Sequence, residues 1–269
     1  MMQFLRKLNS MPYEAAMRHF YPLTAGGPGK LAVDLTKPEG WDAVRSTAGN
    51  FYMPTERGVW QRMCETPIAH DSGVGDLPSR AYCILDLLQK KGFSEQLISF
   101  GVGLGALEYH LKRLKPELQV YCSDFNDEAV QRLRTVFNEC DGIYKFDLMG
   151  GSYREVFPRV RDDALLMIHR MDPHLADEEW VQVFERLATG RGRNILFVPH
   201  RLLTLRYLFD SKRRELVHRC RRTPLALSGT VRTFHRWLKI WGRDYELVDE
   251  PRIGYSRGFL LKLRNNAHS

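Results

Sequence analysis

The stretch LISFGVGLGALEYHL, residues 97 to 111, places three glycines at alternate positions between an apolar run and a helix-like segment. Glycine lacks a Cβ atom, so a turn rich in glycine can adopt positive φ angles and bring its backbone N–H groups against a ligand. The leucines that follow share one helical face and are Leu104, Leu107, Leu111 and Leu114. This stretch therefore predicts a buried strand, a ligand-binding turn and an amphipathic helix.

From residue 95 onward, apolar runs alternate with segments of helical period, and this alternation is typical of βαβ units and a parallel sheet. The predicted strands are QLISFGV, LQVYCSD, GIYKFDL, ALLMIHR and RNILFVPH, followed by two short strands, YELVDE and GFLLKLR. Among the helices, one is expected to have Asn126 as its cap, one to be capped by Asp177, and one to run from about Thr230 to Gly242.

The second predicted strand ends at Asp124 and the third at Asp147, so two acids are expected at the carboxyl edge of the sheet, where open α/β sheets bind ligands. A carboxylate at Asp124 can accept both hydroxyls of a ribose, and Phe125 beside it can lie against an adenine. GVGLGA fits two cofactors: as GxGxxA it is typical of nicotinamide dinucleotides, and as GxGxG of S-adenosylmethionine.

From about residue 80 to 264 the chain resembles the class I S-adenosylmethionine-dependent methyltransferases. SFGVGLGALEYHL is similar to their first motif, VYCSDFNDEAV to the second and KFDLM to the third, and the two terminal strands are similar to the family's sixth and seventh. The resemblance implies an α/β, Rossmann-like, doubly wound seven-stranded sheet with the last strand antiparallel. It also implies S-adenosylmethionine as the cofactor, with the methionine part at Gly101, Gly103 and Gly105, the ribose at Asp124, and the adenine at Phe125, Asp147 and Leu148.

Residues 1–94 differ in composition and are interpreted as an N-terminal, mostly helical or loop-like cap, in which SRAYCILDLLQKKG is the clearest helix. Residues 95–264 are then the cofactor-binding domain. Residues 201–228 are expected to form a basic helical insertion after the fifth strand.

Methyl transfer is an in-line displacement, so the protein mainly positions the acceptor and, for a hydroxyl, removes its proton. The groups expected on the acceptor side are His169 and Asp172 after the fourth strand and His200 after the fifth. Histidine suits proton transfer near neutral pH, so His169 and His200 are catalytic candidates, and Asp172 is the third. No metal is required for this chemistry.

Residues 201 to 222 contain eight Lys or Arg and two acids, a net charge of +6 within a chain of net charge +8. This concentration predicts either a solvated surface or the recognition of an anionic partner through arginine. A small anionic acceptor, such as a metabolite or a glycan, is preferred, because no aromatic platform for single-stranded RNA is evident. RNA methylation and a non-catalytic binding module remain the alternatives.

The N-terminal sequence lacks the apolar core of a signal peptide, and no segment has the roughly 20 apolar residues of a membrane span, so a cytoplasmic location is expected. Five cysteines without a CxxC pair argue against both a disulfide framework and a zinc cluster.

Overall fold

The computed structural model describes residues 14–22, 54–65, 77–157, 160–172, 175–220 and 225–265. The helices are α1 (Arg57–Glu65), α2 (Leu77–Lys91), α3 (Ala106–Leu114), α4 (Asp127–Val136), α5 (Tyr153–Val156), α6 (Asp177–Thr189), α7 (Leu205–Cys220) and α8 (Phe234–Trp241). The strands are β1 (Ala16–Pro22), β2 (Gln96–Phe100), β3 (Gln119–Asp124), β4 (Gly142–Lys145), β5 (Leu165–His169), β6 (Asn194–Val198), β7 (Leu225–Arg232), β8 (Tyr245–Asp249), β9 (Arg252–Ile253), β10 (Ser256–Arg257) and β11 (Phe259–Leu263).

The described residues fall into two compact units. We call them the sheet unit, with residues 54–65, 77–157, 160–169, 181–199 and 243–265, and the hairpin unit, with residues 14–22, 170–172, 175–180, 200–220 and 225–242. This division differs from the predicted boundary at residue 94. The helix α2 packs against α3 and so groups with the sheet, whereas the basic segment groups with β1.

The sheet unit contains a seven-stranded sheet of order β4-β3-β2-β5-β6-β11-β8. The first five strands are parallel, and β11 lies antiparallel between β6 and β8, so the predicted Rossmann-like sheet with an antiparallel last strand is confirmed. All five residues of β2 are buried, as expected for a central strand of a parallel sheet.

The direction of the strand order reverses between β2 and β5, which makes this position the topological switch point of the sheet. Right-handed crossovers that leave such a point in opposite directions place their helices on opposite faces of the sheet. The crevice at the carboxyl ends of the strands therefore opens next to the end of β2, where the glycine turn begins. The fold itself positions the candidate site.

The hairpin unit is built on β1 and β7, which pair antiparallel with a register shift between Arg18 and Phe20. Leu203, Tyr207 and Val231 form a small core against Ala15 and Met17. The indole rings of Trp180 and Trp237 meet edge to face at 5.5 Å, and Trp237 stacks on Trp241 at 5.9 Å. The strand pair was not predicted from the sequence.

Three local predictions were wrong. The helix expected from about Thr230 begins at Phe234, because Thr230 and Val231 pair with β1 and Thr233 caps α8 by accepting the Arg236 N–H. The predicted strand GIYKFDL is shortened to Gly142–Lys145.

Asp177 does not cap α6 but is its first residue, and its carboxylate binds Arg232 and Arg236 instead. The side chain of Glu179 reaches back to the Ala176 N–H at 2.5 Å, which is half of a capping box.

Candidate functional site

The glycine turn after β2 is left-handed at all three glycines. Gly101, Gly103 and Gly105 have φ angles of 63°, 54° and 69°, a region that side chains with a Cβ rarely occupy. Gly105 is the N-cap of α3, and its N–H donates to the Val102 carbonyl at 2.9 Å. The alternate glycines are thus required by the backbone path, as the sequence predicts.

Asp124 holds this turn from the end of β3. Its Oδ2 accepts the Gly103 N–H at 3.1 Å and its Oδ1 accepts the Asn126 N–H at 3.0 Å, while the residue is only 8% exposed. Asn126 caps α4 through the Ala129 N–H at 2.9 Å, as predicted, so the Asp124 carboxylate is not needed as the helix cap. Each carboxylate oxygen has two lone pairs and can accept more than one hydrogen bond.

Trp60 fixes the far end of the turn and was missed by sequence reasoning. Its indole Nε1–H donates to the Leu104 carbonyl at 2.9 Å, and its ring packs at 5.1 Å from Tyr109 and 5.2 Å from Phe137. The side chain is fully buried. Nothing in the pattern around residue 60 links it to a turn that lies 44 residues later.

The other predicted cofactor residues lie at the same edge of the sheet. Phe125 is 43% exposed beside Asp124, so its ring face is available for stacking. Asp147 is exposed, and its Oδ1 accepts the Met149 N–H at 2.9 Å, which is the bond of an ordinary Asx turn. Leu148 is buried. Their contacts with adenine stay a prediction.

A second buried polar pair lies beside the turn. The Ser99 hydroxyl donates to Glu108 at 2.6 Å, and burial raises the pKa of the Glu108 carboxyl above its ordinary value. This pair joins β2 to α3 directly beneath the glycines and keeps a carboxyl out of contact with solvent.

His169, a predicted catalytic residue, ends β5 in the sheet unit. Its Nε2 lies 2.8 Å from Nη1 of Arg80, a residue of α2 that is 1% exposed. A guanidinium can only donate, so Nε2 of His169 must be the accepting nitrogen and, in the neutral ring, Nδ1 carries the proton. Nε2, the nitrogen that would accept a proton from the acceptor, is therefore already hydrogen-bonded to Arg80.

The other two predicted catalytic residues, Asp172 and His200, are brought together in the hairpin unit. The Asp172 Oδ1 accepts the backbone N–H of His200. The His200 ring accepts at Nδ1 from Arg170, at 3.0 Å from Nε and 2.6 Å from Nη2. Arg170 itself has a left-handed φ of 61°, which costs a non-glycine residue about 1 to 3 kcal/mol.

The pKa of the Asp172 carboxyl lies well above its ordinary value. Burial raises the pKa of its carboxyl to about 7, against the opposing effects of the His200 N–H and the charges of Arg232 and Arg170. Its Oδ2 is buried and has no hydrogen-bond partner among the described residues. A carboxyl with this pKa can exchange a proton near neutral pH.

Arg232 secures the loop that carries Asp172. It is fully buried, its guanidinium donates to the carbonyls of Asp172 at 2.8 Å and Leu175 at 2.6 Å, and it forms an ion pair with Asp177. The guanidinium also lies 5.0 Å from the ring centre of Trp237. Sequence reasoning missed this residue because a single arginine at the end of a strand carries no pattern.

Residues 205–220 of the basic segment form α7, as predicted, but residues 225–228 belong to β7 rather than to a helical insertion, and Arg221 and Arg222 lie outside the described residues. Tyr207, on the inner face of this helix, is 5% exposed, and burial raises its pKa to about 12, opposed by the charges of Arg214 and Arg201. Nη2 of Arg214 is buried and has no acceptor within the described part of the chain, while its Nε donates to the Asp210 carbonyl at 3.2 Å. The inner face of α7 is therefore polar and cationic.

Among the described residues, no group of three or more His, Cys, Asp or Glu lies close enough together to hold a metal ion. No helix in the described ranges is both long enough and apolar enough to cross a bilayer.

No protein-family model matches the sequence, and a comparison with curated proteins found no match either. Among solved structures, the chain is similar to magnesium protoporphyrin IX methyltransferase (ChlM) from Synechocystis PCC 6803 with bound SAH, at 18% identity and a TM-score of 0.54, over 83% of this chain and 100% of that chain. It is similar to the pyocyanin biosynthetic protein PhzM at 13% identity and a TM-score of 0.51, over 86% of this chain and 69% of that chain.

Human N-acetylserotonin methyltransferase in complex with SAM also matches, at 17% identity and a TM-score of 0.48 over 76% of this chain, and this chain spans only 55% of its length. At these identities the comparisons concern the fold, and the similarity to ChlM and PhzM agrees with the seven-stranded sheet and its antiparallel strand β11. The chain has the Rossmann-like fold of the class I S-adenosylmethionine-dependent methyltransferases.

Proposed function

We propose that the protein is an S-adenosylmethionine-dependent methyltransferase that acts on a small anionic acceptor, a metabolite or a glycan, by in-line transfer to oxygen or nitrogen. One observation carries the proposal: three left-handed glycines follow the central strand, and the N–H of the middle one binds a buried carboxylate at the end of the next strand. The similarity in fold to ChlM, whose structure contains bound SAH, supports the proposal.

The residues present fit this cofactor. Gly101, Gly103 and Gly105 would hold the methionine part, Asp124 the ribose hydroxyls, and Phe125 with Asp147 and Leu148 the adenine. When bound, S-adenosylmethionine supplies an electrophilic methyl group on a sulfonium, so no metal is needed to activate it. The chain's own task is to hold the turn rigid, which Asp124 and Trp60 do from opposite ends.

An anionic acceptor is supported by the inner face of α7. The guanidinium of Arg214 keeps one nitrogen without an acceptor in the described structure, and Arg201 lies 6.0 Å from the Tyr207 ring. A carboxylate or phosphate satisfies such donors through charge-assisted hydrogen bonds. We propose that these groups recognise the acceptor.

Proton removal from a hydroxyl acceptor falls to Asp172 in this proposal. The rings of His169 and His200 each use one nitrogen to accept from an arginine, so in the neutral form the other nitrogen holds the proton and neither ring can act as a base. Asp172 has an oxygen without a partner in the described residues and a pKa of about 7. His169 and His200 then position groups rather than accept protons.

The proposal includes a cytoplasmic location. All five cysteines are free thiols, and Cys64 and Cys122 are buried as packing residues. This usage is typical of proteins from reducing compartments.

The cofactor assignment is tested by calorimetry with S-adenosylmethionine on the wild type and on Asp124→Ala. We expect the substitution to weaken binding by about 1.5 to 3 kcal/mol, or roughly tenfold to 150-fold, because a charge-assisted hydrogen bond to the ribose and the tie to Gly103 are both lost. Asp86→Ala, which removes an exposed carboxylate of α2 that pairs with Lys90, is the matched control and should bind normally.

If a folded Asp124→Ala protein binds as well as the wild type, the cofactor assignment is wrong, and if the wild type does not bind at all, the chain is a binding module. Mass spectrometry of a cell extract incubated with labelled cofactor then identifies the acceptor. Labelling of RNA, with binding that weakens steeply with salt, would replace the small acceptor by a nucleic acid.

A further inference from the structure

The helix α7 has its polar and apolar faces reversed relative to an ordinary surface helix. The inner face carries Tyr207, Ser211 and Arg214, which are buried or half-buried. The outer face carries Phe209, which is 71% exposed, and Leu216, which is 63% exposed. Surface helices normally bury such apolar residues and expose the polar ones.

The apolar residues form one stripe along the helix. At 100° per residue, Leu205, Phe209, Leu216 and Cys220 project within an arc of about 60°. Cys220 is exposed as well, and Leu208 and Val217, at 36% and 37% exposure, border the stripe. Elsewhere in the described chain, exposed large apolar residues such as Tyr255 and Val248 belong to other segments, so this concentration is specific to α7.

Cations line both edges of the stripe. Lys212 and Arg219 project on one side and Arg206 and Arg213 on the other, and the side chains of Arg206 and Arg219 are 90% and 73% exposed. The helix contains five Lys or Arg against Asp210 and Glu215, a net charge of +3. Its ion pairs are local: Glu215 serves both Lys212 and Arg219, and Asp210 lies 3.9 Å from Arg206.

We propose that the outer face of α7 binds the surface of an anionic lipid bilayer. An apolar stripe between two rows of cations matches the boundary between acyl chains and anionic headgroups, because the leucine and phenylalanine side chains enter the interface while the long cationic side chains reach the headgroups. RNA phosphates would pair with the cations but would leave the apolar stripe in water. The polar inner face remains available for the acceptor proposed above, so the two roles use opposite sides of one helix.

The test is co-sedimentation of the purified protein with phosphatidylcholine vesicles that contain or lack phosphatidylglycerol. We expect binding to the anionic vesicles only, and weaker binding at high salt, because exposed charges are screened. The double variant Phe209→Ser with Leu216→Ser should bind at least about tenfold less, since two apolar side chains no longer enter the interface. Lys212→Gln with Arg213→Gln should lose the preference for anionic vesicles.

The matched control is Val248→Ser with Tyr255→Ser, which removes two exposed apolar side chains of the sheet unit and should leave vesicle binding unchanged. Circular dichroism and S-adenosylmethionine affinity should be unchanged in all variants, because the substituted side chains are exposed and lie outside the cofactor residues. No binding to anionic vesicles, or equal binding by the double variant, overturns the proposal. Binding to RNA or to a second copy of the chain, with the same dependence on Phe209 and Leu216 and no vesicle binding, also overturns it.

Discussion

Two glycines, Gly92 and Gly105, allow the backbone cost of an added Cβ atom to be separated from its packing cost. Gly105 and Gly92 have nearly the same left-handed φ, 69° and 65°. A Cβ atom on Gly105 would lie 3.1 Å from Cδ1 of Leu133, whereas one on Gly92 would meet nothing within 4 Å. The two sites therefore share the backbone cost and differ in the packing cost.

We expect Gly92→Ala to lower the free energy of unfolding by about 1 kcal/mol, the cost of a left-handed alanine, and Gly105→Ala to lower it by about 1 kcal/mol more, because Leu133 must move. Urea unfolding measures both losses. S-adenosylmethionine affinity should fall only in Gly105→Ala, because only that glycine belongs to the turn. Equal losses of stability in the two variants would show that Leu133 moves without cost. Equal affinities for S-adenosylmethionine would show that Gly105 does not contribute to binding.

Local sequence patterns mark the residues of the turn but not the side chains that support them. Gly101, Gly103 and Asp124 were predicted because they follow strands directly, so a local pattern marks them. Their supports come from far away in the chain: Trp60 lies 44 residues from Leu104, and Arg80 lies 89 residues from His169. Such partners are decided by tertiary packing and leave no periodic signal.

At the scale of elements, strands and helices with a clear period were predicted, and short or irregular ones were not. β5 and β6 each contain four consecutive apolar residues, and β2 and β3 are short, mostly buried strands that alternate with helices of clear period. The strand β7 includes Ser228 and Gly229 and pairs with β1, far earlier in the chain, so no local feature predicts either. The loop around Asp172 likewise depends on Arg232, 60 residues later.

The raised pKa of Asp172 should make the stability of the protein depend on pH. Asp172 has a folded pKa of about 7 against an ordinary value of 3.8, so the folded state keeps a proton that the unfolded state releases. The wild type should therefore lose stability as the pH rises from about 4 to about 7, by at most about 4 kcal/mol, with no further change from this group above that range. An asparagine side chain at this position would stay neutral throughout.

We expect Asp172→Asn to gain stability relative to the wild type between about pH 5 and about pH 8. The amide oxygen can still accept the His200 N–H, and any cost of burying the amide is the same at each pH, so the change with pH is the readout. Urea unfolding of both proteins at the two pH values measures it. Parallel pH profiles would mean that Asp172 is ionised in the folded protein.

For the molecule as a whole, the alternation of apolar runs with helical segments predicted an α/β chain, and charge predicted a basic segment, but neither predicted how the chain divides. The boundary expected at residue 94 separates a glycine- and proline-rich region from periodic segments. The contacts instead group residues 54–65 and 77–91 with the sheet, and residues 14–22 with 200–220 and 225–242. β1 and β7 are far apart in the sequence, so the composition of either segment does not predict that the two strands pair.

Ligand binding to the sheet unit should change both the free energy of unfolding and the local amide exchange. A ligand that binds only the folded state stabilises it by about 2.7 kcal/mol at a concentration about 100-fold above its Kd. We expect S-adenosylhomocysteine at that concentration to raise the free energy of unfolding by this amount. Amide exchange should slow at residues 101–106 and 124–126 of the sheet unit, because the backbone of the glycine turn and the end of β3 would contact the ligand.

Asp124→Ala at the same ligand concentration should be stabilised by only about 0.3 to 1.4 kcal/mol, because its binding is roughly tenfold to 150-fold weaker, and its amide exchange should slow correspondingly less. Unfolding in urea followed by fluorescence gives the first quantity, and hydrogen exchange read by mass spectrometry gives the second, peptide by peptide. Because the two measurements are independent, their disagreement is informative. Stabilisation of the wild type without slower exchange at residues 101–106 would mean that the ligand binds elsewhere, and the glycine turn would then be explained by the left-handed path from β2 into α3 alone.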